Sequence, residues 1–358
     1  MVSSCAVFAQ QQGESLIGTA PLTRRFVLIE CPHPWAEVMD QSCGLPADLA
    51  AQMKRWAKQW PGTRFLLFTG QPVPPSAQVR CQQPRRLLFF EAPERNLQTY
   101  QAMQMEGVSP DRLTAAIADY FTARSQGTWP QMARPLLGRH LFICTHGRRD
   151  RCCGRYGYPL YRQTSALVNE FHQLQRLPNH GIHLWQVSHI GGHRFAPTLI
   201  DFPEGRYYGA LTLGDCRSLL LRQGSLALLS RIYRGWALLP EPVQILERLL
   251  WQQQGWSWLE QPVDYTLAVA GATVDSLSNA SDLSPWQVSF TWGETCHWQA
   301  LIQLDPDLSC TVFGSCGDET PLTTHKYQVT HLQKQVHRSA ALPVSLVKSF
   351  ANLKTHAK

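Results

Sequence analysis

Apolar residues fall in short runs with two kinds of spacing, and the order of the spacings predicts the elements. Phe26–Glu30 (FVLIE) and Phe65–Phe68 are unbroken apolar runs of strand length. Between them, over Pro46–Trp60, Leu49, Met53 and Trp56 recur at helical spacing. Val79–Cys81 and Leu87–Phe90 flank a polar turn and predict a hairpin. Pro110-Asp111 opens a helix through Leu113 and Ile117 to about Phe121. The same order then returns. His140–Cys144 predicts a strand, Tyr158–Leu174 a helix and Gly181–Val187 a strand. Pro197–Phe202 and Arg206–Leu211 predict a hairpin around Pro203-Glu204-Gly205, and Asp215–Ser230 a helix. The order β-α-β-β-β-α is thus met twice, an α/β (α+β) pattern.

From about residue 236 the character changes. Pro240–Gln253 predicts one more helix. Tyr265–Val269, Trp286–Trp292, Trp298–Leu304, Thr311–Phe313 and Tyr327–Leu332 then alternate between turn residues and predict a small antiparallel β region. The expected division is 20–130, 136–235 and 236–358, the last ending in a basic tail from Lys348 to Lys358.

Composition narrows the classes. A hydrophobic fraction of 44% with twelve Trp excludes a disordered chain. No apolar run reaches the roughly eighteen residues of a membrane span, and Met1 to Glu14 lacks the basic start and apolar stretch of a secretory leader. A cytoplasmic chain with no membrane partner is the expectation. The net charge of +7 is spread out; its densest run is Arg148-Arg149-Asp150-Arg151 with Arg155 close behind. That is too short and too poor in aromatics to track nucleic acid, and suits docking of an acidic partner protein better. Eleven scattered cysteines do not make a secreted disulfide framework.

Two stretches carry chemistry. One is Cys144-Thr-His-Gly-Arg-Arg-Asp-Arg-Cys152-Cys153-Gly154, and the other is His189-Ile-Gly-Gly-His193 followed by Arg-Phe-Ala-Pro197. A loop between a strand end and a helix start can aim two sulfurs at one point, where the helix terminus and nearby arginines favour thiolates. Gly191 and Gly192 allow a tight turn that brings both imidazoles to one side. Two sulfur and two imidazole donors suit zinc or an iron–sulfur centre.

Cys144-x8-Cys153-Gly together with His189-Ile-Gly-Gly-His193 resembles the sucrase/ferredoxin-like family of thioredoxin-like ferredoxins, many of which carry His-x-x-x-His where others carry Cys-x-x-x-Cys. Ala196-Pro197-Thr-Leu-Ile-Asp-Phe-Pro203-Glu204-Gly205-Arg-Tyr-Tyr208 is similar to the hairpin that follows the second ligand pair in that family. The resemblance covers about 139–230 and, more loosely, 20–130. It implies two thioredoxin-like units in tandem, the first degenerate and the second a ferredoxin domain. It also implies a 2Fe-2S cluster with Cys144 and Cys153 on one iron and His189 and His193 on the other. Cys152, beside Cys153, and His146, inside the loop, are the runner-up ligands. Pro197 is then expected to be cis. Replacing two thiolates by neutral imidazoles should raise the potential, and the second ring nitrogens should couple electron to proton. The implied function is one-electron transfer between a separate reductase and a redox acceptor. No carboxylate pair supports a sucrase. No Gly-x-Gly-x-x-Gly or P-loop provides a nucleotide site.

Neighbouring residues read more plainly. His180, His183 and His146 are expected at the surface or in hydrogen bonds, and Trp185 and Phe195 in the core. Cys31-x11-Cys43-Gly44 mirrors the Cys144 loop without a His pair, and reads as packing cysteines. Cys296, Cys310 and Cys316 read as buried or free thiols. The competing functions are a Cys2His2 structural zinc module and a metal-free thiol oxidoreductase using Cys152 or Cys153. The second is disfavoured by the absence of Cys-x-x-Cys.

Overall fold

The structure is a computed structural model and describes residues 4–70, 82–176, 181–269 and 285–336. The predicted strand Val79–Cys81, His180 and the basic tail lie outside these residues. The first half runs α1 (Cys5–Gln11), β1 (Arg25–Glu30), α2 (Leu49–Gln59), β2 (Thr63–Thr69), β3 (Arg85–Glu91), β4 (Gln101–Val108), α3 (Leu113–Ser125) and β5 (Arg134–Pro135). The second runs β6 (Arg139–Cys144), α4 (Tyr158–Gln173), β7 (Ile182–Val187), β8 (Leu199–Phe202), β9 (Arg206–Tyr208), α5 (Leu213–Leu221), α6 (Leu229–Ile232) and β10 (Tyr233–Trp236). α7 (Glu241–Gln254) leads to β11 (Val263–Val269), β12 (Trp286–Trp292), β13 (Cys296–Val312) and β14 (Leu322–Val336).

The first ten strands form one mixed sheet in the order β10-β9-β8-β6-β7-β2-β1-β3-β4-β5. Its pairing repeats. β1 lies parallel to β2 and antiparallel to β3; β6 lies parallel to β7 and antiparallel to β8. The halves meet through their second strands, antiparallel, at Phe68↔Val187 and Thr69↔Gln186. Beyond this seam the Ser188 amide donates to the Leu67 carbonyl (2.8 Å) and the Ser188 hydroxyl accepts from the Leu67 amide (2.9 Å). A separate antiparallel sheet, β11-β12-β13-β14, follows.

The apolar runs of β1 and β6 are buried on both faces, as central strands flanked by layers must be. In β1, Phe26 and Leu28 point into one core while Val27 and Ile29 point into a second, beneath α2 and α3. The first core continues through Phe142, Phe202 and Trp251 to Phe290, Trp298 and Ile302 of the four-stranded sheet. α7 lies between the two sheets, with Val243, Leu246, Leu250 and Trp251 fully buried and the polar Gln244 and Glu247 buried beside them.

Three expectations shift. Leu87–Phe90 pairs antiparallel with β1 and β4, because β4 (QAMQMEGV) is a strand despite its weak alternation. The helix expected over Asp215–Ser230 breaks into α5 and α6, because Arg222 and Gly224 take positive φ (50° and 92°), which ends a right-handed helix. Trp298–Leu304 and Thr311–Phe313 belong mostly to one long strand, β13, irregular between Asp305 and Cys310.

Candidate metal centre

The cysteine loop starts where β6 ends, at Cys144, and closes on a π-turn, Cys153–Gly157, that leads into α4. Two close backbone approaches shape it. A Cβ on Gly154 would sit 2.8 Å from the Gly147 Cα, and one on Gly157 would sit 1.9 Å from the Cys144 carbonyl oxygen. Only glycine lets the helix start against the strand end and fold both sulfurs inward. Asp150 organises the turn: its carbonyl accepts from the Cys153 amide (3.1 Å) and its carboxylate from the Cys152 amide (2.8 Å).

The histidine loop leaves β7 just past the seam. Gly191 and Gly192 have φ of 83° and 69°, the left-handed conformation that side-chain-bearing residues resist. The buried Arg234 guanidinium donates to the Gly191 and Thr19 carbonyls (2.9 and 2.8 Å) and fills the space beneath the turn. A Cβ on Gly192 would lie 2.5 Å from its Nη2. The turn brings the two rings together, tilted by 36° with centroids 4.8 Å apart and His189 Nε2 to His193 Nδ1 at 3.4 Å. Ala196–Pro197, which closes the loop, is cis.

These loops bring the predicted residues together. Donor atoms of Cys144, Cys153 and His189 all lie within 4.8 Å of one another, with Cys153 Sγ to His189 Nδ1 at 4.0 Å. His193 falls outside that group and stands one ring further out, against His189. Cys144 and Cys153 are 1% exposed, whereas the two imidazoles are partly exposed, so the rings separate the sulfurs from solvent. The Cys153 thiol, with His189 helping, holds Cys144 well below the usual thiol range against the cost of burial; that same hydrogen bond, together with burial, pushes Cys153 up. Burial lowers the pKa of His193 although Asp150 works to raise it, so the ring stays neutral, the form that binds metal. Its Nε2 is buried, 3.7 Å from the Asp150 carboxylate, and has no hydrogen-bond partner among the described residues. Two buried sulfurs, two imidazoles and an orphaned ring nitrogen facing a carboxylate fit a metal or iron–sulfur group.

The runner-up ligands go elsewhere. His146 is tied by Nε2 to the Ala36 carbonyl (2.7 Å) and meets Trp35 edge-on. Cys152 turns away from Cys153 to place its sulfur 3.5 Å from Cys5 and 3.2 Å from Cys316. Trp185 and Phe195 are core residues as expected, and His183 stacks on His140. Sequence reasoning missed Asp150, read only as a charge within the arginine run, and missed the convergence of Cys5 and Cys316 on Cys152. No local spacing could have signalled the latter, because the partners lie 147 and 164 residues from Cys152.

Among curated proteins, Altered inheritance of mitochondria protein 32 of Meyerozyma guilliermondii is 32% identical over 102 residues, which cover 27% of this chain and 34% of that protein. The match therefore spans about a third of the relative's length. Among solved structures, the thioredoxin-like [2Fe-2S] ferredoxin from Aquifex aeolicus aligns at 15% identity with a TM-score of 0.20, over 25% of this chain and 81% of that one. Two cysteine-to-serine variants of it align at the same identity and score, over 24% and 86%. Residues 16–235, which contain both loops and every strand of the ten-stranded sheet up to the last, match the sucrase/ferredoxin-like model, and the chain belongs to that family.

Proposed function

We propose that the chain is a one-electron transfer protein whose 2Fe-2S cluster is held by Cys144 and Cys153 on one side and by His189 and His193 on the other. The observation that carries the reading is the convergence of Cys144, Cys153 and His189 within 4.8 Å, with His193 packed on His189, from loops that leave neighbouring parallel strands. In this reading each half of the ten-stranded sheet is a thioredoxin-like unit, and the second is the ferredoxin domain.

Such a cluster supplies reversible acceptance of a single electron. The chain's own residues set how that happens. Cys144 and Cys153 lie at the dry end and keep water from the sulfurs. His189 and His193 lie at the wet end, the shorter route for an electron to leave. Ligation through one ring nitrogen leaves the other to hold a proton, and for His193 the nitrogen at Nε2 already faces Asp150. Asp150 is kept ionised: burial opposes its charge, but donation from the Cys316 and Cys152 amides and the Ser315 hydroxyl helps to lower its pKa. An ionised carboxylate there favours a protonated Nε2, so the potential should fall as pH rises. Arg148, Arg149, Arg151 and Arg155 surround the cysteine loop and give an acidic reductase or acceptor a docking patch. No helix among the described residues is long and apolar enough to cross a membrane.

Voltammetry of the anaerobically purified protein tests the reading. A reversible couple whose potential falls with pH is expected. A potential flat from about pH 6 to 10 would remove the imidazole ligands, and a colourless protein with stoichiometric zinc would make the site a zinc module instead.

A further inference from the structure

We propose that Cys5, Cys152 and Cys316, with Asp150, form a second metal site that takes a thiophilic divalent cation of the zinc class, distinct from the site built on Cys144, Cys153 and the histidines. Donor atoms of these four residues all lie within 4.8 Å of one another. The sulfurs form a near-equilateral triangle: Cys5 to Cys152 is 3.5 Å, Cys5 to Cys316 is 3.4 Å and Cys152 to Cys316 is 3.2 Å. All three are free thiols. Tetrahedral zinc with bonds near 2.3 Å separates its sulfurs by about 3.8 Å, so the triangle needs to open by only a few tenths of an ångström.

The fourth position is also prepared. A carboxylate offers about four acceptor sites. Asp150 Oδ1 accepts from the Cys152 amide (2.8 Å), and Oδ2 from the Cys316 amide (3.0 Å) and the Ser315 hydroxyl (3.1 Å). One lone pair on Oδ1 is left for a cation, and the donors that aim the carboxylate are the amides of Cys152 and Cys316 themselves and the hydroxyl of Ser315 beside Cys316. Cys5 and Cys152 are buried while Cys316 is partly exposed, which gives an ion one side of entry.

Apolar packing alone gives little reason for three chain segments to meet here. The surrounding cluster is small: Cys5, Ala6, Cys152 and Ala196, with Tyr156, Phe313 and Cys316 against it. A bound ion would tie α1, the cysteine loop and the loop after β13 into one unit, closing chain loops of 147 and 164 residues. It would also fix the carboxylate that faces His193, and thereby brace one metal site with another.

The test is metal analysis of the full-length chain purified anaerobically, counting zinc and iron together, with the single variants Cys5→Ser and Cys316→Ser and with Cys310→Ser as control. About one zinc per chain is expected in the parent and in Cys310→Ser, at least tenfold less in Cys5→Ser and Cys316→Ser, and iron unchanged throughout. Parent protein stripped of zinc but keeping its iron, titrated with Co2+, should develop near-ultraviolet thiolate-to-cobalt bands that saturate at one equivalent, a readout that needs no variant to fold. Absence of both zinc and cobalt–thiolate bands overturns the proposal, as does zinc that both serine variants retain. Zinc that disappears with Cys144→Ser and survives Cys316→Ser belongs to the other group and also overturns it.

Discussion

The two halves of the large sheet share one strand order and do different work. Each has a central strand that ends in a cysteine at its carboxyl end, Cys31 after β1 and Cys144 at the end of β6. In the second half the thiol next to Cys144 and His189 pull its pKa down. In the first, burial pushes Cys31 up to about 11, its sulfur points at the Cys43 carbonyl (3.6 Å), and Cys43 is taken up in a disulfide. After β7 come two glycines and two imidazoles; after β2 comes Gly70-Gln-Pro-Val-Pro-Pro, with no imidazole. The first half serves as a brace instead. His33 Nε2 bonds Gln186 Oε1 (3.1 Å), which also accepts from the Thr145 hydroxyl, and the Ala36 carbonyl holds His146 in the cysteine loop. Topology therefore provides a place at the strand ends, and only loop chemistry turns that place into a candidate metal site.

The strongest way to break this comparison is to exchange sulfur for oxygen in each half. Cys144→Ser or Cys153→Ser should remove nearly all cluster iron and visible absorption, whereas Cys31→Ser should keep both. Iron and sulfide analysis decides, and iron lost from the Cys31 variant would refute the division of labour. The next largest effect is expected from Gly157→Ala, whose new Cβ would sit 1.9 Å from the Cys144 carbonyl oxygen. Urea unfolding should show a loss of about 3 kcal/mol. Gly107→Ala, a first-half site with positive φ but nothing within 4 Å, should cost only about 1 kcal/mol.

The pH dependence of stability comes next. His140 Nδ1 accepts from the Trp185 indole (3.0 Å) and its Nε2 faces the Leu137 carbonyl (3.0 Å), so the neutral ring is fully used and burial lowers its pKa to about 4. His33 is lowered to about 4 as well, also chiefly by burial. An unfolded histidine gains its proton near pH 6.5 while these rings stay neutral, so stability is complete above that value and is lost as pH falls from about 6.5 to 4. The His140 share should be at most about 3 kcal/mol, and the gap between urea midpoints at pH 7 and 4.5 should narrow, with the His33 share left, in His140→Gln. A smaller effect than these is expected at the seam. Ser188→Ala leaves the buried Leu67 amide without its acceptor and should cost about 1–2 kcal/mol, measured by the same unfolding.

Much of the second half was legible because its signals are local. Phe142-Ile143-Cys144 is an unbroken apolar run, Ile182, Leu184, Trp185 and Val187 mark the next strand, Pro203-Glu204-Gly205 turns a hairpin, and the ligand candidates lie beside glycines that reveal tight turns. What stayed hidden depends on contacts distant in sequence. β4 is a strand because β3 pairs with it, not because its residues alternate. The back-to-back seam rests on two residue pairs and one serine, with no sequence pattern of its own. The break after Leu221 turns on Arg222 adopting a glycine-like φ, which its residue type does not announce. Asp150 reads as one acid among arginines, and only the fold shows it between the Cys152 amide, the Cys316 amide and His193.

The most direct measurement is electron paramagnetic resonance of the dithionite-reduced protein, with hyperfine spectroscopy on a sample labelled with 15N at histidine. The account predicts one reduced cluster per chain, an average g-value close to that of Rieske-type centres, and coupling to two histidine nitrogens that changes in His189 and His193 variants. A signal of the all-cysteine type with no histidine coupling would contradict it.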